Sequence, residues 1–233
     1  MLKNSILVII PARAGSQRVK NKNLRVVNKK PLVIWSIYYA QKLKKIFKNI
    51  NIIVSTDSLK VTKISQSLKT KAIQRPKNIS GNKASMHSVI SHILKKIDKK
   101  NKFEFIVLLQ PTSPIRKVSW IKKSITILNK NKKYENLIHL NRLNRYIGKL
   151  QKNSWKPEFS SNTRSQDINN QFEPSGCLFL YKRKNFENLK KFNKRLAYGF
   201  HSNELKTVNI DYEEDFVLLN YYLNKKSLKS IIN

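Results

Sequence analysis

Apolar positions follow two rhythms along the chain. Short unbroken runs, SILVII (5–10), NIIVST (51–56), KAIQ (71–74), FEFIVLL (103–109) and CLFLY (177–181), predict strands. Between them lie longer amphipathic stretches, PLVIWSIYYAQKLKKI (31–46), SLKVTKISQSLK (58–69), SMHSVISHILKKI (85–97), VSWIKKSITILNK (118–130) and EEDFVLLNYYL (213–223). Their apolar residues recur at helical spacing, as Phe216, Leu219 and Leu223 do, and predict helices. Strand–helix alternation predicts an α/β domain: a Rossmann-like, mostly parallel sheet flanked by helices. The polar run 138–172, with Tyr146, Trp155 and Phe159, breaks the rhythm. It predicts an excursion from a single domain spanning 1–233, acting as a dimerisation arm.

In such a fold ligands sit outside the carboxyl ends of the strands. The loops PARAGSQRVKNKN (11–23), STDS (55–58), QRPKNISGNKAS (74–85) and QPTSPIR (110–116) fall there. The first leaves a β-branched strand and gathers Arg13, Arg18, Lys20, Lys22 and Arg25 around Gly15. A glycine after a strand lets backbone N–H groups converge on an anion, and arginine forks with movable lysines suit a polyphosphate. The spacing matches neither the P-loop nor the dinucleotide-binding glycine motif.

Composition narrows the picture further. With 233 residues, 40% of them hydrophobic, the chain can bury a substantial core, which excludes disorder. No run approaches 18 apolar residues, so no membrane partner is expected, and the N-terminus lacks a signal-peptide pattern. The single cysteine, Cys177, excludes an intrachain disulfide and suits a cytoplasmic protein. The formal net charge is +35. A polyanion partner is one explanation and an A/T-rich genome favouring Lys, Asn and Ile is the other. The lysines are spread over every segment, so no specific nucleic-acid partner is expected, but the field should attract a phosphorylated substrate.

Taken in order, PARAGSQRVKNKNLR, KKPLVIWSI, VSTDS, QRP and LLQPTSPIR resemble the CMP-sialic acid synthetases. These cytidylyltransferases activate N-acetylneuraminate and nine-carbon relatives such as legionaminate and pseudaminate. The resemblance covers about residues 5–223. It implies a nucleotide-diphospho-sugar transferase fold, CTP and a nine-carbon sugar acid as substrates, Mg²⁺ as cofactor, and a homodimer. Arg13, Lys22 and Arg164 would be catalytic. Gly15, Ser16 and Asn23 would join Arg13 and Lys22 on the nucleotide, with Arg75 and Ser85 fixing the cytidine. Gln110, Thr112, Ser113, Arg164 and Gln166 would hold the sugar acid, and Phe172 or a neighbour would approach the other subunit's sugar site. Asp211 and Asp215 in NIDYEED would be Mg²⁺ ligands. The same segment reads equally as a helix start, with Asp211 as N-cap and Glu214 completing a capping box.

Four positions depart from the family pattern. Gln17 stands where a lysine is usual, Asn209 where a second aspartate is, Ser165 where an arginine precedes the glutamine, and Lys30 where a glycine precedes KPL-type sequences. Elsewhere Asp57 is expected to cap the helix at 58, Cys177 to be core, and the four histidines to bind no zinc. An octulosonate cytidylyltransferase and a non-catalytic basic binding protein stay open as alternatives.

Overall fold

In the computed structural model, residues 2–143, 145–160, 162, 164, 168, 171–184, 186–187, 197–205 and 207–224 are described. In chain order the elements are β1 (Leu2–Pro11), β2 (Val26–Val27), β3 (Lys30–Pro31), α1 (Leu32–Lys42), β4 (Phe47–Thr56), α2 (Leu59–Ser67), β5 (Lys71–Gln74) and α3 (Met86–Ile97). Then follow β6 (Phe105–Leu108), α4 (Val118–Lys130), β7 (Asn136–Arg142), β8 (Gly148–Gln151), β9 (Ser154–Pro157), β10 (Phe172–Lys182), β11 (Tyr198–His201) and α5 (Glu213–Asn224).

Seven strands form one sheet in the order β11-β7-β10-β6-β1-β4-β5. β1 pairs in parallel with β4 and β6, and β4 with β5. β10 runs antiparallel to β6 and β7, while β11 returns parallel to β7. The sheet is thus mostly parallel and flanked by helices. β1 is central and Ile6 to Ile10 are fully buried, which is why this stretch reads as a continuous apolar run. Ile6, Val8 and Ile10 pack with residues of α1, α4 and α5, whereas Leu7 and Ile9 pack with Ile90, Ile93 and Leu94 of α3.

The five expected strands and five expected helices all occur, with boundaries shifted by a few residues. Two sheet strands, β7 and β11, were not expected. Because β7 lies between β10 and β11, residues 138–142 of the expected excursion belong to the central sheet. Phe172 starts β10 opposite Arg142. The excursion proper therefore lies between these strands. It holds the hairpin β8–β9, every residue of which is exposed. Tyr146 and Trp155 gather on Phe159, with ring centroids 4.6 and 5.7 Å away.

Two local expectations are corrected. The cap of α2 is Ser58, whose Oγ accepts from Val61 N at 3.3 Å, not Asp57. In the β2–β3 ribbon the turn residues are Asn28 and Lys29, with φ of 45° and 65°. This is the left-handed pair that a two-residue hairpin requires. The position that favours glycine is therefore Lys29; Lys30 is extended in β3.

Candidate active site

A cleft of about 300 Å³ opens at the carboxyl ends of β1, β5 and β6. Its first wall is the loop after β1. That loop is pinned by its backbone to the end of β4. Ala12 N donates to Ser55 O at 2.9 Å, Thr56 Oγ1 to Ala12 O at 2.6 Å, and Ala14 N to Asp57 Oδ1 at 2.7 Å. Asp57 thus fastens the loop. Asn23 adds a bond from Nδ2 to Arg13 O at 2.9 Å, and Arg13 Nη1 reaches Asn82 Oδ1 at 2.7 Å. Lys22 opens a 3₁₀ turn after Asn21, whose φ is 54°, and is only 8% exposed. Its Nζ donates to Ile210 O at 2.5 Å and lies 3.7 Å from Asp211 Oδ1. Burial lowers the Lys22 pKa, and the Asp211 carboxylate opposes that shift.

The second wall is Arg75, just after β5. It is 3% exposed; Nε and Nη2 donate to Ser55 Oγ and O at 3.2 and 2.9 Å. Burial pulls its pKa down to about 10, Asp57 working against that and Arg13 with it. Arg18 closes the rim, 3.0 Å from Asp211 Oδ1 and 5.3 Å from the centre of the Tyr212 ring. Arg13, Arg18, Lys22 and Arg75 therefore face one carboxylate, Asp211. Such an excess of donors in a partly desolvated cleft suits a ligand carrying several negative charges.

The third wall is the loop after β6. Gln110 and Thr112 line the cleft beside Pro111. Ser113 does not: it is fully buried and Oγ donates to Asn209 Oδ1 at 2.9 Å. Asn209 Nδ2 passes the contact on to Asp211 Oδ2 at 2.8 Å, and Ile210 N donates to Thr112 O at 2.8 Å. Gly176 of β10 backs this cluster with φ of +73°. A Cβ there would lie 2.5 Å from Ser113 Oγ and 3.0 Å from Gln110 Oε1, so glycine is required twice over.

The cleft thus brings together Arg13, Ser16, Lys22, Asn23, Arg75, Gln110, Thr112 and Asp211 among the expected residues, and adds Gln17, Arg18 and Met86. Gly15 lies on the loop but is not among the lining residues, and neither crowding nor a left-handed φ requires glycine there. Ser85 sits beside Met86 as the cap of α3, accepting from Ser88 N at 3.1 Å. Arg164 is exposed and not among the lining residues, and Gln166 lies outside the described residues. Phe172 is half exposed, its ring 5.2 Å from that of His201.

Asp215 lies outside this cleft and lines a neighbouring hollow together with Asp211. Its Oδ2 accepts from Asp211 N at 2.7 Å and Tyr212 N at 2.8 Å, so this aspartate caps α5 and Glu214 does not. On the far side of Asp211 a second hollow of about 530 Å³ is lined by Asn209, Asn141, Arg145 and Glu173. Sequence reading missed it because the pattern of NLIHLNR did not register as a strand. Among the described residues no three His, Cys, Asp or Glu side chains cluster as metal ligands. A single carboxylate in a cation-rich cleft still fits Mg²⁺, an ion commonly bound through one or two carboxylates with its remaining positions on water or substrate phosphate.

A mostly parallel sheet with a cation-rich cleft at its carboxyl edge defines an α/β protein of the class that binds ligands outside the carboxyl ends of its strands. The cytidylyltransferase family profile matches residues 7–231, and the chain belongs to that family. It is 28% identical over 235 residues to the N-acylneuraminate cytidylyltransferase of Escherichia coli O18:K1:H7, covering 99% of this chain and 55% of that protein. The CMP-N,N'-diacetyllegionaminic acid synthase of Legionella pneumophila is 34% identical over 124 residues, 52% of each chain. A post-translational flagellin modification protein B of Campylobacter coli is 27% identical over 97% of this chain and 98% of its own length. The chain spans about half the length of the E. coli and streptococcal N-acylneuraminate cytidylyltransferases it matches. In fold it is similar to the CMP:2-keto-3-deoxy-manno-octonic acid synthetase complexed with CTP. The TM-score is 0.69 at 13% identity, over 94% of this chain and 98% of the other.

Proposed function

We propose that the chain transfers the cytidylyl group of CTP to a nine-carbon 2-keto sugar acid of the nonulosonate type. The products are the CMP-sugar and pyrophosphate. The observation that carries this reading is the cleft in which four cations face one carboxylate at the end of β1. Relatives acting on acylneuraminate and legionaminate support the substrate class.

In this reading Arg13 and Lys22 grip the triphosphate, Ser16 and Asn23 orient it, and Arg75 stands at the cytidine with Ser85 behind it. The sugar's anomeric hydroxyl attacks the α-phosphorus as the bond to pyrophosphate breaks. Positioning and charge neutralisation carry most of such a step. Asp211 would hold a Mg²⁺, which when bound would add charge neutralisation at the phosphates; Asp215 acts as a cap. The sugar acid extends from Gln110 past Asp211 into the second hollow, where Arg145 offers a partner for its carboxylate.

The segment between β7 and β10, with the hairpin β8–β9, forms the dimer arm and brings Phe172 or a neighbour toward the partner's sugar site. Leu150 and Trp155, 70% and 53% exposed, support an interface there. A monomer by light scattering would remove that arrangement. The protein works in the cytoplasm, where CTP is available.

The test is pyrophosphate release with CTP, Mg²⁺ and a panel of N-acetylneuraminate, legionaminate, pseudaminate and 3-deoxy-octulosonate. Release with one nine-carbon acid, absent with ATP or without metal, is expected. Release with the eight-carbon acid alone would replace the substrate class. Silence with no CTP binding would overturn the reading.

A further inference from the structure

Arg116 is 1% exposed, among the largest fully buried side chains of the molecule, and it makes no ion pair among the described residues. A buried guanidinium without an acid is costly unless its donors are used. Here the fork is spent on the loop after β6. Nη2 donates to Gln110 O at 2.7 Å and also to Ser113 O, and Nη1 donates to Ser36 Oγ of α1 at 3.1 Å. The Tyr39 ring lies beneath, 5.3 Å from Cζ, and Tyr39 Oη donates to Lys117 O at 2.8 Å. One cation therefore clamps both ends of Gln110–Ser113 to the first helix.

Everything on the far side of that loop depends on its shape. Gln110 and Thr112 line the cleft. Thr112 O receives Ile210 N, and Ser113 Oγ holds Asn209, which holds Asp211. The two carbonyls share Nη2 while Nη1 reaches Ser36 of α1, so the planar guanidinium ties loop and helix together from two nitrogens, which the single nitrogen of a lysine ammonium does not reproduce. A neutral replacement would leave Ser113 O buried without a donor and Gln110 O with only the Ser113 N–H, 3.1 Å away. Arg13 and Arg75 are fixed separately, by Asn82 and Ser55, whereas Lys22 meets this network through Ile210 O.

We propose that Arg116 is a positioning residue for the sugar-acid side of the reaction: its buried fork sets the loop carrying Gln110 and Thr112. This rests on the cytidylyltransferase reading and adds to it a division of labour. Arg13 and Arg75 are held without Arg116, and Gln110 and Thr112 are held by it.

The test uses the full chain and Arg116→Lys, which keeps the charge and loses the fork. Three quantities are compared: CTP affinity by calorimetry, KM and kcat for the sugar acid identified by the panel, and hydrogen exchange over residues 109–116. CTP affinity should stay within about threefold, while KM for the sugar acid rises at least about tenfold. Exchange should quicken at Thr112 and Ser113 but not in β1 or α3. Unchanged sugar KM with unchanged exchange would overturn the proposal. So would equal losses of CTP affinity and sugar KM with faster exchange throughout, the mark of a general structural role. If the wild-type chain turns over no sugar acid, the substrate reading fails, and the exchange pattern with CTP affinity still decides the role of Arg116. If Arg116→Lys does not fold, Ser36→Ala removes one partner of the fork. It should show the same split at smaller size, and no split would overturn the proposal.

Discussion

Arg13 and Lys22 differ in how they are held, and their substitutions should differ accordingly. Arg13 is tied by one exposed bond to Asn82, so Arg13→Ala removes charge and little else. Lys22 is buried and bonded to Ile210 O, so Lys22→Ala also loosens the Asp211 segment. Both should lower turnover by more than about tenfold in the pyrophosphate assay, as expected for a transition-state charge contact. Near-normal turnover in both would remove the phosphate role. His139, expected to be bland, is a fully buried ring stacked on Trp120 at 4.2 Å, with Nδ1 2.9 Å from Ser175 Oγ. Burial pulls its pKa from 6.5 to about 4. The folded chain keeps it neutral while the unfolded chain protonates it, so its contribution is full above pH 6.5 and drains away toward pH 4. Urea unfolding should lose about 2–3 kcal/mol more between pH 7 and 4 in the wild type than in His139→Phe. Equal losses would show that another group governs the acid limb. The cations were legible because a basic cluster after an apolar strand is written in the sequence itself. That Arg75 and Arg116 would be buried was not, since burial depends on what packs over them.

At the level of elements, periodicity located the helices well because their buried faces are continuous. It missed β7, whose alternation is blurred by His139 and Asn141, and β11, which has only four residues. Capping was legible in kind but not in address. Ser58 displaced Asp57, and Asp215 rather than Glu214 reaches back over α5. Such choices turn on a residue of helix register that residue types alone do not fix. Asp215→Ala should therefore cost about 1 kcal/mol of unfolding free energy, the usual size of a lost cap. An unchanged urea midpoint would contradict the capping role. Gly176→Ala should be more damaging. Beyond about 1–2 kcal/mol for the left-handed backbone, the new methyl would push Ser113 off Asn209. The expected readout is a lowered melting temperature together with a large loss of turnover; wild-type turnover would mean the cluster can shift without cost.

For the molecule as a whole, the +35 charge adds a long-range attraction to the local grip of the cleft. Raising salt from about 50 to about 300 mM should raise KM for CTP several-fold, because screening acts first on the diffuse field. A flat salt response would assign binding to the buried contacts of Lys22 and Arg75 alone. The fold class and most of the cleft followed from sequence because a parallel sheet collects its loops at one edge. The second hollow did not. It depends on β7 and β10 crossing the sheet's antiparallel half, which no local pattern announces.

Cys177 gives this architecture a built-in stopwatch. The only cysteine of the chain is fully buried in β10, accepts a bond from Ser175 Oγ at 3.0 Å, and burial pushes its thiol up to about 11. No sulfur-directed reagent can touch it while the strands stay together, so each molecule that becomes labelled has parted its own sheet.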